Sequence, residues 1–129
     1  MTAGAQLWQW PATELSAAYR DGAATPEAAL ASVLARLDAV NPKINAVITL
    51  DRAGAERAAR DSTQRWKEGC ALSPLDGVPV TIKDNILVGG LRATWGSRLY
   101  ADHVPAHDEE PVVRLRNAGA VIVLSLIHI

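Results

Sequence analysis

The sequence has little that would tie it to a membrane, a nucleic acid or an oxidising compartment. It contains one cysteine, Cys70, which excludes an internal disulfide and fits a reducing compartment. Its formal net charge is −1, so it lacks the basic excess of proteins that bind nucleic acids or anionic membranes. No apolar run reaches membrane-spanning length, and the first residues lack the basic and apolar regions of a signal peptide. These absences predict a cytoplasmic protein that binds no nucleic acid directly and no membrane.

The composition is that of an ordinary globular domain. The 129 residues are 49% hydrophobic and 21% charged, which is typical of globular proteins. This length is sufficient for one small domain with its own core. Arginine outnumbers lysine ten to three and alanine is abundant, as in GC-rich bacterial coding sequences. The composition therefore predicts a bacterial globular protein.

Capping residues, glycines and apolar spacing divide the chain into helices and strands. Four helices are predicted, over residues 13–22, 25–41, 52–68 and 109–118, with Thr13 and Thr25 as caps of the first two. Asn41-Pro42 is expected to end the second helix. Apolar runs predict strands at 46–50, 78–83 and 121–123. The last strand–helix–strand succession is typical of a parallel crossover unit, so the predicted fold class is α/β.

The segment 74–85 places a lysine, Lys83, at the end of a strand of alternating apolar residues. A partly desolvated lysine in such a position can accept the proton of a hydroxyl nucleophile as a general base. In open α/β sheets, functional sites also gather at the carboxyl ends of strands. The residues alone leave a second interpretation open, in which the Lys83 stem packs on apolar neighbours while its amine reaches water.

The residues of this segment, Pro-Leu-Asp-Gly-Val-Pro-Val-Thr-Ile-Lys-Asp-Asn, closely resemble the lysine motif of the amidase signature family. Three later segments continue the match in the family's order: Thr-Trp-Gly-Ser at 94–97, Asp-Glu-Glu-Pro-Val-Val-Arg-Leu-Arg at 108–116, and Ala-Gly-Ala-Val-Ile-Val at 118–123. The resemblance is strong from about residue 72 to residue 123 and looser from Thr13 onward. It implies the N-terminal portion of the amidase signature fold, incomplete here, with helices packed on a central mixed β-sheet.

The same resemblance implies a chemistry. Family members hydrolyse or transfer amide groups with a Ser–cis-Ser–Lys triad, in which one serine attacks the amide and a second relays its proton to the lysine. Lys83 is the residue that matches the family's lysine. The family's two serines lie in a Gly/Ser-rich segment that these 129 residues do not contain. The expectation is therefore an N-terminal fragment of an amidase that acts on a small-molecule amide, without a cofactor, and that is inactive by itself.

Two alternatives remain beside the hydrolase. The first, within the same family, is a component of a tRNA-dependent amidotransferase, because the amidase-like subunits of such enzymes share this N-terminal pattern. The second is a complete small α/β binding module that carries out no chemistry. The continuation of the coding sequence beyond Val123 distinguishes the module from the enzyme.

The last six residues, 124–129, depart from the family pattern. Family members continue after the Ala-Val-Ile-Val strand with a Gly-Lys-Thr-Asn type of turn, whereas this chain reads Leu-Ser-Leu-Ile-His-Ile. That hexamer resembles the translation of a transposase adaptor used in sequencing libraries, CTG TCT CTT ATA CAC ATC. We therefore expect residues 1–123 to form the N-terminal part of an amidase domain and residues 124–129 to be a non-native tail. The alternative is a natural apolar extension of the strand.

Other polar clusters are weaker candidates for a site. His103 and His107 lie four residues apart among acidic residues, but Pro105 between them prevents a continuous helix from presenting both on one face. These residues predict a surface loop that leads into the 109–118 helix, and no metal site is predicted there. Asp84 and Asn85 either orient Lys83 or form an Asx turn, and neither is assigned a catalytic role.

Overall fold

The computed structural model describes residues 6–126. In chain order it contains four α-helices and three β-strands within that range: α1 (Ala12–Asp21), α2 (Pro26–Ile44), β1 (Val47–Leu50), α3 (Arg52–Lys67), β2 (Pro79–Lys83), α4 (Glu110–Asn117) and β3 (Val121–Leu126). Short 3₁₀ turns at Leu7–Gln9 and Arg98–Tyr100 accompany them. The predicted elements are all present, with most boundaries within one or two residues.

The three strands form a mixed sheet in the order β1-β3-β2. β3 lies in the centre, antiparallel to β1 and parallel to β2. Because α4 connects β2 to β3, the predicted parallel crossover is confirmed. The parallel pairing aligns Lys83, the last residue of β2, with Leu126, the last residue of β3. Both strands therefore end at the same edge of the sheet.

Helices cover both faces of this sheet. On one face, Val121 and Val123 of β3 pack with buried residues of α2 and α3, namely Leu30, Leu34, Ala55 and Ala59. On the opposite face, Ile122 and Ile82 pack with Val112 of α4 and with Val88. The alternation along β3 follows from the period of two in a strand, which sends successive side chains to opposite faces.

The first helix differs from its prediction at the N-terminus. Leu15, Ala18 and Tyr19 are buried and Gly22 ends the helix at φ 72°, as the apolar spacing and the glycine predict. However, the carbonyl of Pro11 accepts hydrogen bonds from the backbone N–H groups three and four residues later, and α1 therefore begins at Ala12. The predicted cap at Thr13 is wrong, because Thr13 already lies inside the first turn.

The second helix confirms its predicted start and extends beyond its predicted end. Thr25 caps α2 by accepting a hydrogen bond from the N–H of Ala28 at 3.1 Å. The helix then continues through Pro42, and Asn45 ends it in the left-handed region at φ 50°. The predicted end at Asn41-Pro42 is therefore wrong. Pro42 has no backbone N–H and therefore donates no hydrogen bond within the helix. Beyond the helix, the Asn41 side chain forms two hydrogen bonds with the backbone of Val47, the first residue of β1.

β3 is longer than predicted. It continues past Val123 to Leu126, and its last residues pair with both β1 and β2. Ser125, which pairs with Ile82 and Thr49, is buried. The predicted end of the strand at residue 123 is therefore wrong. The interpretation of 124–129 as a non-native tail concerns the origin of these residues and remains a prediction, and 127–129 lie outside the described residues.

Candidate active site

Lys83 lies where the sequence predicts, as the last residue of β2 at the carboxyl edge of the parallel pair. Its neighbour Ile82 is buried in the core, whereas Lys83 itself is exposed. The described residues therefore do not supply the expected partial desolvation of the lysine, which lies at the end of the strand on the face opposite Ile82. The amine is open to a group that approaches from outside the described residues.

The backbone on either side of the Lys83 side chain is fixed. The carbonyl of Lys83 accepts a hydrogen bond from the N–H of Ile86 at 3.0 Å, which closes a turn directly after the strand. The N–H of the next residue, Asp84, donates to the carbonyl of Leu126 at 2.7 Å and so extends the pairing with β3 by one bond. The exposed lysine thus stands on a well-supported strand end.

Asp84 is buried, with 3% of its surface exposed. Its carboxylate accepts two hydrogen bonds from a single residue, Thr94: one from the backbone N–H to Oδ1 at 2.9 Å and one from the hydroxyl to Oδ2. Asp84 also accepts a weak bond at its carbonyl from the N–H of Trp95 at 3.4 Å. The sequence left the role of Asp84 open, and the structure shows that it joins the end of β2 to a turn ten residues later.

That turn is the Thr-Trp-Gly-Ser segment at 94–97. Trp95 adopts φ 51°, a left-handed conformation that is unusual for a large side chain. The Thr94 hydroxyl, besides bonding to Asp84, accepts the N–H of Gly96 at 3.2 Å, and the Thr94 carbonyl accepts the N–H of Ser97 at 2.8 Å. Hydrogen bonds around Thr94 therefore hold the turn in a conformation that the backbone of Trp95 does not favour.

The histidines and acids at 103–109 serve the loop, as the sequence indicates. The His103 ring lies 5.6 Å from the ring of Trp95. The carboxylates of Asp108 and Glu109 accept backbone N–H groups of the preceding loop, from Gly89 at 2.7 Å and Leu87 at 2.6 Å. Within residues 6–126, no group of three or more His, Cys, Asp or Glu side chains is arranged to hold a metal ion.

A buried ion pair precedes the lysine strand, and sequence reasoning did not identify it. The guanidinium of Arg65, near the end of α3, donates to both carboxylate oxygens of Asp76, at 2.8 Å and 2.6 Å. Asp76 is fully buried and also accepts the N–H of Leu72 at 2.8 Å. Burial by itself raises the pKa of Asp76, but the hydrogen bonds from Arg65 and Leu72 outweigh it and hold that pKa below its usual range. The motif's aspartate is therefore an ionised structural residue.

Gly119 allows the chain to approach this aspartate closely. Gly119, at φ 86°, has its Cα so near Asp76 that an added Cβ would lie 2.5 Å from Oδ1. The N–H of Gly77 donates to the carbonyl of Gly119 at 2.9 Å, and the carbonyl of Gly77 accepts the hydroxyl of Tyr19 at 3.2 Å. Burial raises the pKa of that Tyr19 hydroxyl. These contacts fix the point at which β2 enters the sheet.

Solved structures define the class of fold. The chain superposes on native peptide amidase from Stenotrophomonas maltophilia with a TM-score of 0.85 and 28% identity, over 92% of this chain and 24% of that chain. It superposes on fatty acid amide hydrolase with a TM-score of 0.86 at 19% identity, over 93% of this chain and 21% of that one, which shows the fold alone. The described residues thus form part of the amidase signature fold.

The family follows from the sequence match. The profile of the family described as Amidase matches residues 28–125, and this chain belongs to that family. It is 42% identical over 118 residues to a subunit of the glutamyl-tRNA(Gln) amidotransferase of Myxococcus xanthus, covering 92% of this chain and 24% of that protein. It is 38% identical over 110 residues to an acylamidase of Rhodococcus erythropolis, covering 85% of this chain and 23% of that protein. The chain therefore spans about a quarter of the relatives' length.

These relatives include hydrolases that act on carbon–nitrogen bonds, as the sequence resemblance implied. Among the helices described in residues 6–126, none is long and apolar enough to cross a membrane.

Proposed function

We propose that this chain is the N-terminal part of an amide-bond hydrolase of the Ser–cis-Ser–Lys type, with Lys83 as its proton acceptor. The observation that carries the proposal is the position of Lys83, exposed at the shared carboxyl edge of β2 and β3. Parallel sheets place functional groups at this edge. The match of the surrounding motif to the amidase signature and the membership of the chain in the amidase family support the same assignment.

In the proposed reaction, the neutral amine of Lys83 accepts a proton from a relay serine, which takes the proton of the nucleophilic serine. The nucleophile attacks the amide carbonyl, the carbon–nitrogen bond breaks, and the amine leaves with a proton. Water then resolves the acyl-enzyme. The contribution of the described residues is to hold the backbone of Lys83 at the end of β2, with its side chain open to the segment that carries the serines.

The 129 residues alone are proposed to be inactive on amides, because they contain no Gly/Ser-rich segment with the nucleophile and the relay. Sequencing of the genomic DNA beyond the codon for Val123 tests whether the chain is part of a longer enzyme. A Gly-Lys-Thr-Asn continuation followed by a Gly/Ser-rich segment with two serines supports the enzyme. A stop codon directly after the codon for Ile129 would instead support the small binding module and contradict the proposal.

Substitution of Lys83 in the complete protein tests its role. Lys83→Ala and Lys83→Arg should each lower kcat by about 10³-fold or more, since neither alanine nor a permanently charged guanidinium accepts a proton. Lys67→Ala is the matched control, because Lys67 is also exposed and lies at the end of α3. It should leave kcat unchanged, and all three variants should melt as the unmodified protein does. Near-normal turnover by Lys83→Ala would refute the assignment.

An amidotransferase component is the second candidate, favoured by the 42% identity to the glutamyl-tRNA(Gln) amidotransferase of Myxococcus xanthus. The distinguishing measurement is the fate of the amide nitrogen. A complete protein that releases ammonia from simple acylamides without a partner is a hydrolase. One that uses glutamine and delivers its nitrogen to glutamyl-tRNA(Gln) only with partner subunits is the amidotransferase component.

A further inference from the structure

Asp84, the residue after the proposed base, is buried and hydrogen-bonded, whereas Lys83 itself is exposed. Asp84 has 3% of its surface exposed, and both oxygens of its carboxylate are occupied by donors from Thr94. Among the described residues, no basic side chain forms an ion pair with it. A buried carboxylate without a cation is costly unless hydrogen bonds satisfy it. The pair with Thr94 is therefore a specific arrangement that a solvated Asx turn would not need.

Asp84 connects three pieces of backbone at one point. Its N–H extends the pairing of β2 with β3 through Leu126, its carboxylate holds Thr94, and its carbonyl receives the N–H of Trp95. The loop that leaves the sheet at Lys83 therefore returns to the residue directly after it. Trp95, at φ 51°, sits in a strained conformation next to this junction, and such strain persists only where the surrounding structure holds it.

We propose that Asp84 is a positioning residue for Lys83: by clamping Thr94 to the end of β2, it fixes the strand end and holds the 94–97 turn beside the proposed base. This inference rests on the proposed function of Lys83. Catalytic groups must be held within a fraction of an ångström of their productive positions, and a misplacement of about 1 Å can cost about 10²-fold in rate. The Asp84 carboxylate touches Thr94 and acts on the reaction only through Lys83 and its surroundings.

The test is a set of variants in the complete enzyme. Asp84→Ala should lower kcat by about 10²-fold with little change in KM, since the Asp84 carboxylate is buried against Thr94 and the proposal gives it no contact with the substrate. Thr94→Val removes the hydroxyl that donates to Asp84 and accepts the N–H of Gly96, and it should lower kcat by about tenfold. Thr94→Ser keeps the hydroxyl and should retain kcat to within about twofold. In the Asp84→Ala background, Thr94→Val should lower kcat by much less than tenfold, because the bond from the hydroxyl to Asp84 is already lost and only its bond from the N–H of Gly96 remains.

Thr63→Val is the matched control for general destabilisation. Thr63 is buried in α3, and its hydroxyl donates to the carbonyl of Ala59 at 2.9 Å and accepts the N–H of Glu27 at 3.4 Å. The same substitution therefore removes one donated and one accepted hydrogen bond away from β2, as it does at Thr94. It should leave kcat unchanged. A loss of kcat in Thr63→Val equal to that in Thr94→Val would overturn the inference, since destabilisation alone would then explain both.

The outcomes separate the two proposals. If Lys83→Ala retains activity, the proposed function fails. If Lys83→Ala abolishes activity while Asp84→Ala and Thr94→Val turn over normally, the proposed function stands and the positioning role fails. Hydrogen exchange of the complete protein gives a readout that needs no activity. Asp84→Ala should speed exchange at 94–97 and leave α3 unchanged, and unchanged exchange at 94–97 would contradict the clamp.

Discussion

Arg65 and Asp76 form a bidentate ion pair in which the carboxylate is fully buried and the guanidinium side chain is 26% exposed. The pair joins the end of α3 to the segment that leads into β2, four residues after Leu72 and seven before Lys83. The motif that contains Lys83 thus also contains Asp76, the residue that attaches the motif to α3. Paired geometry of this kind is stronger and more directional than a single contact.

Removing the cation from this pair should destabilise the chain strongly. Arg65→Ala leaves the Asp76 carboxylate buried without its partner, which typically costs about 3 kcal/mol or more. Arg114→Ala is the control, because Arg114 pairs with Glu110 at 2.8 Å on the surface of α4, where such pairs contribute about 0.5 kcal/mol or less. Urea unfolding of both variants measures the difference. An equal loss in the free energy of unfolding in the two variants would show that the buried pair contributes no more to stability than the surface pair.

The depressed pKa of Asp76 predicts how stability depends on pH. In the unfolded chain an aspartate titrates near about 3.9, whereas in the folded chain the pKa of Asp76 lies lower. The folded state therefore binds fewer protons, so this contribution is fully present above about pH 4 and is lost as the pH falls through the folded pKa. Asp76→Asn removes the titration. The stability difference between the unmodified chain and Asp76→Asn should stay constant above about pH 5 and shrink as the pH falls below about 4, and a difference that stays constant in acid would contradict the assignment.

Local signals in the sequence were sufficient for most elements. Thr25 followed by Pro26 marks the start of α2, and Gly22 marks the end of α1, because caps and left-handed turns depend on neighbouring residues. The same local reasoning failed at Thr13, because α1 already begins at Ala12, and at Pro42, because α2 continues to Ile44 and ends at Asn45 in the left-handed region.

The candidate site likewise contains one feature that the sequence predicts locally and others that it does not. The position of Lys83 at a strand end follows from alternation along β2, which the sequence displays directly. The burial of Asp84 does not, because its partner Thr94 lies ten residues away across an irregular loop. The bond from Arg65 to Asp76 likewise crosses eleven residues between a helix and a loop. Contacts of this kind depend on how the elements pack, and a single sequence carries no local signal for them.

The two threonines at the starts of the first helices provide a direct test of the corrected cap. Thr25→Ala should cost about 1 kcal/mol, because it removes the hydroxyl that accepts the N–H of Ala28. Thr13→Ala should cost less than about 0.5 kcal/mol, since α1 begins at Ala12 without a side-chain cap. Chemical denaturation of the two variants compares them under identical conditions. A larger cost at Thr13 would contradict the observed helix start.

A pair of glycines separates backbone strain from steric conflict. Gly22→Ala, at φ 72° with nothing within 4 Å of the added Cβ, should cost about 1 kcal/mol from the left-handed backbone alone. Gly119→Ala carries the same strain at φ 86° and also places its Cβ 2.5 Å from Oδ1 of Asp76, which must move while held by Arg65. It should therefore cost about 3 kcal/mol or more, by the added loss of the buried pair. Similar unfolding midpoints for the two variants would show that Gly119 is not needed for the approach to Asp76.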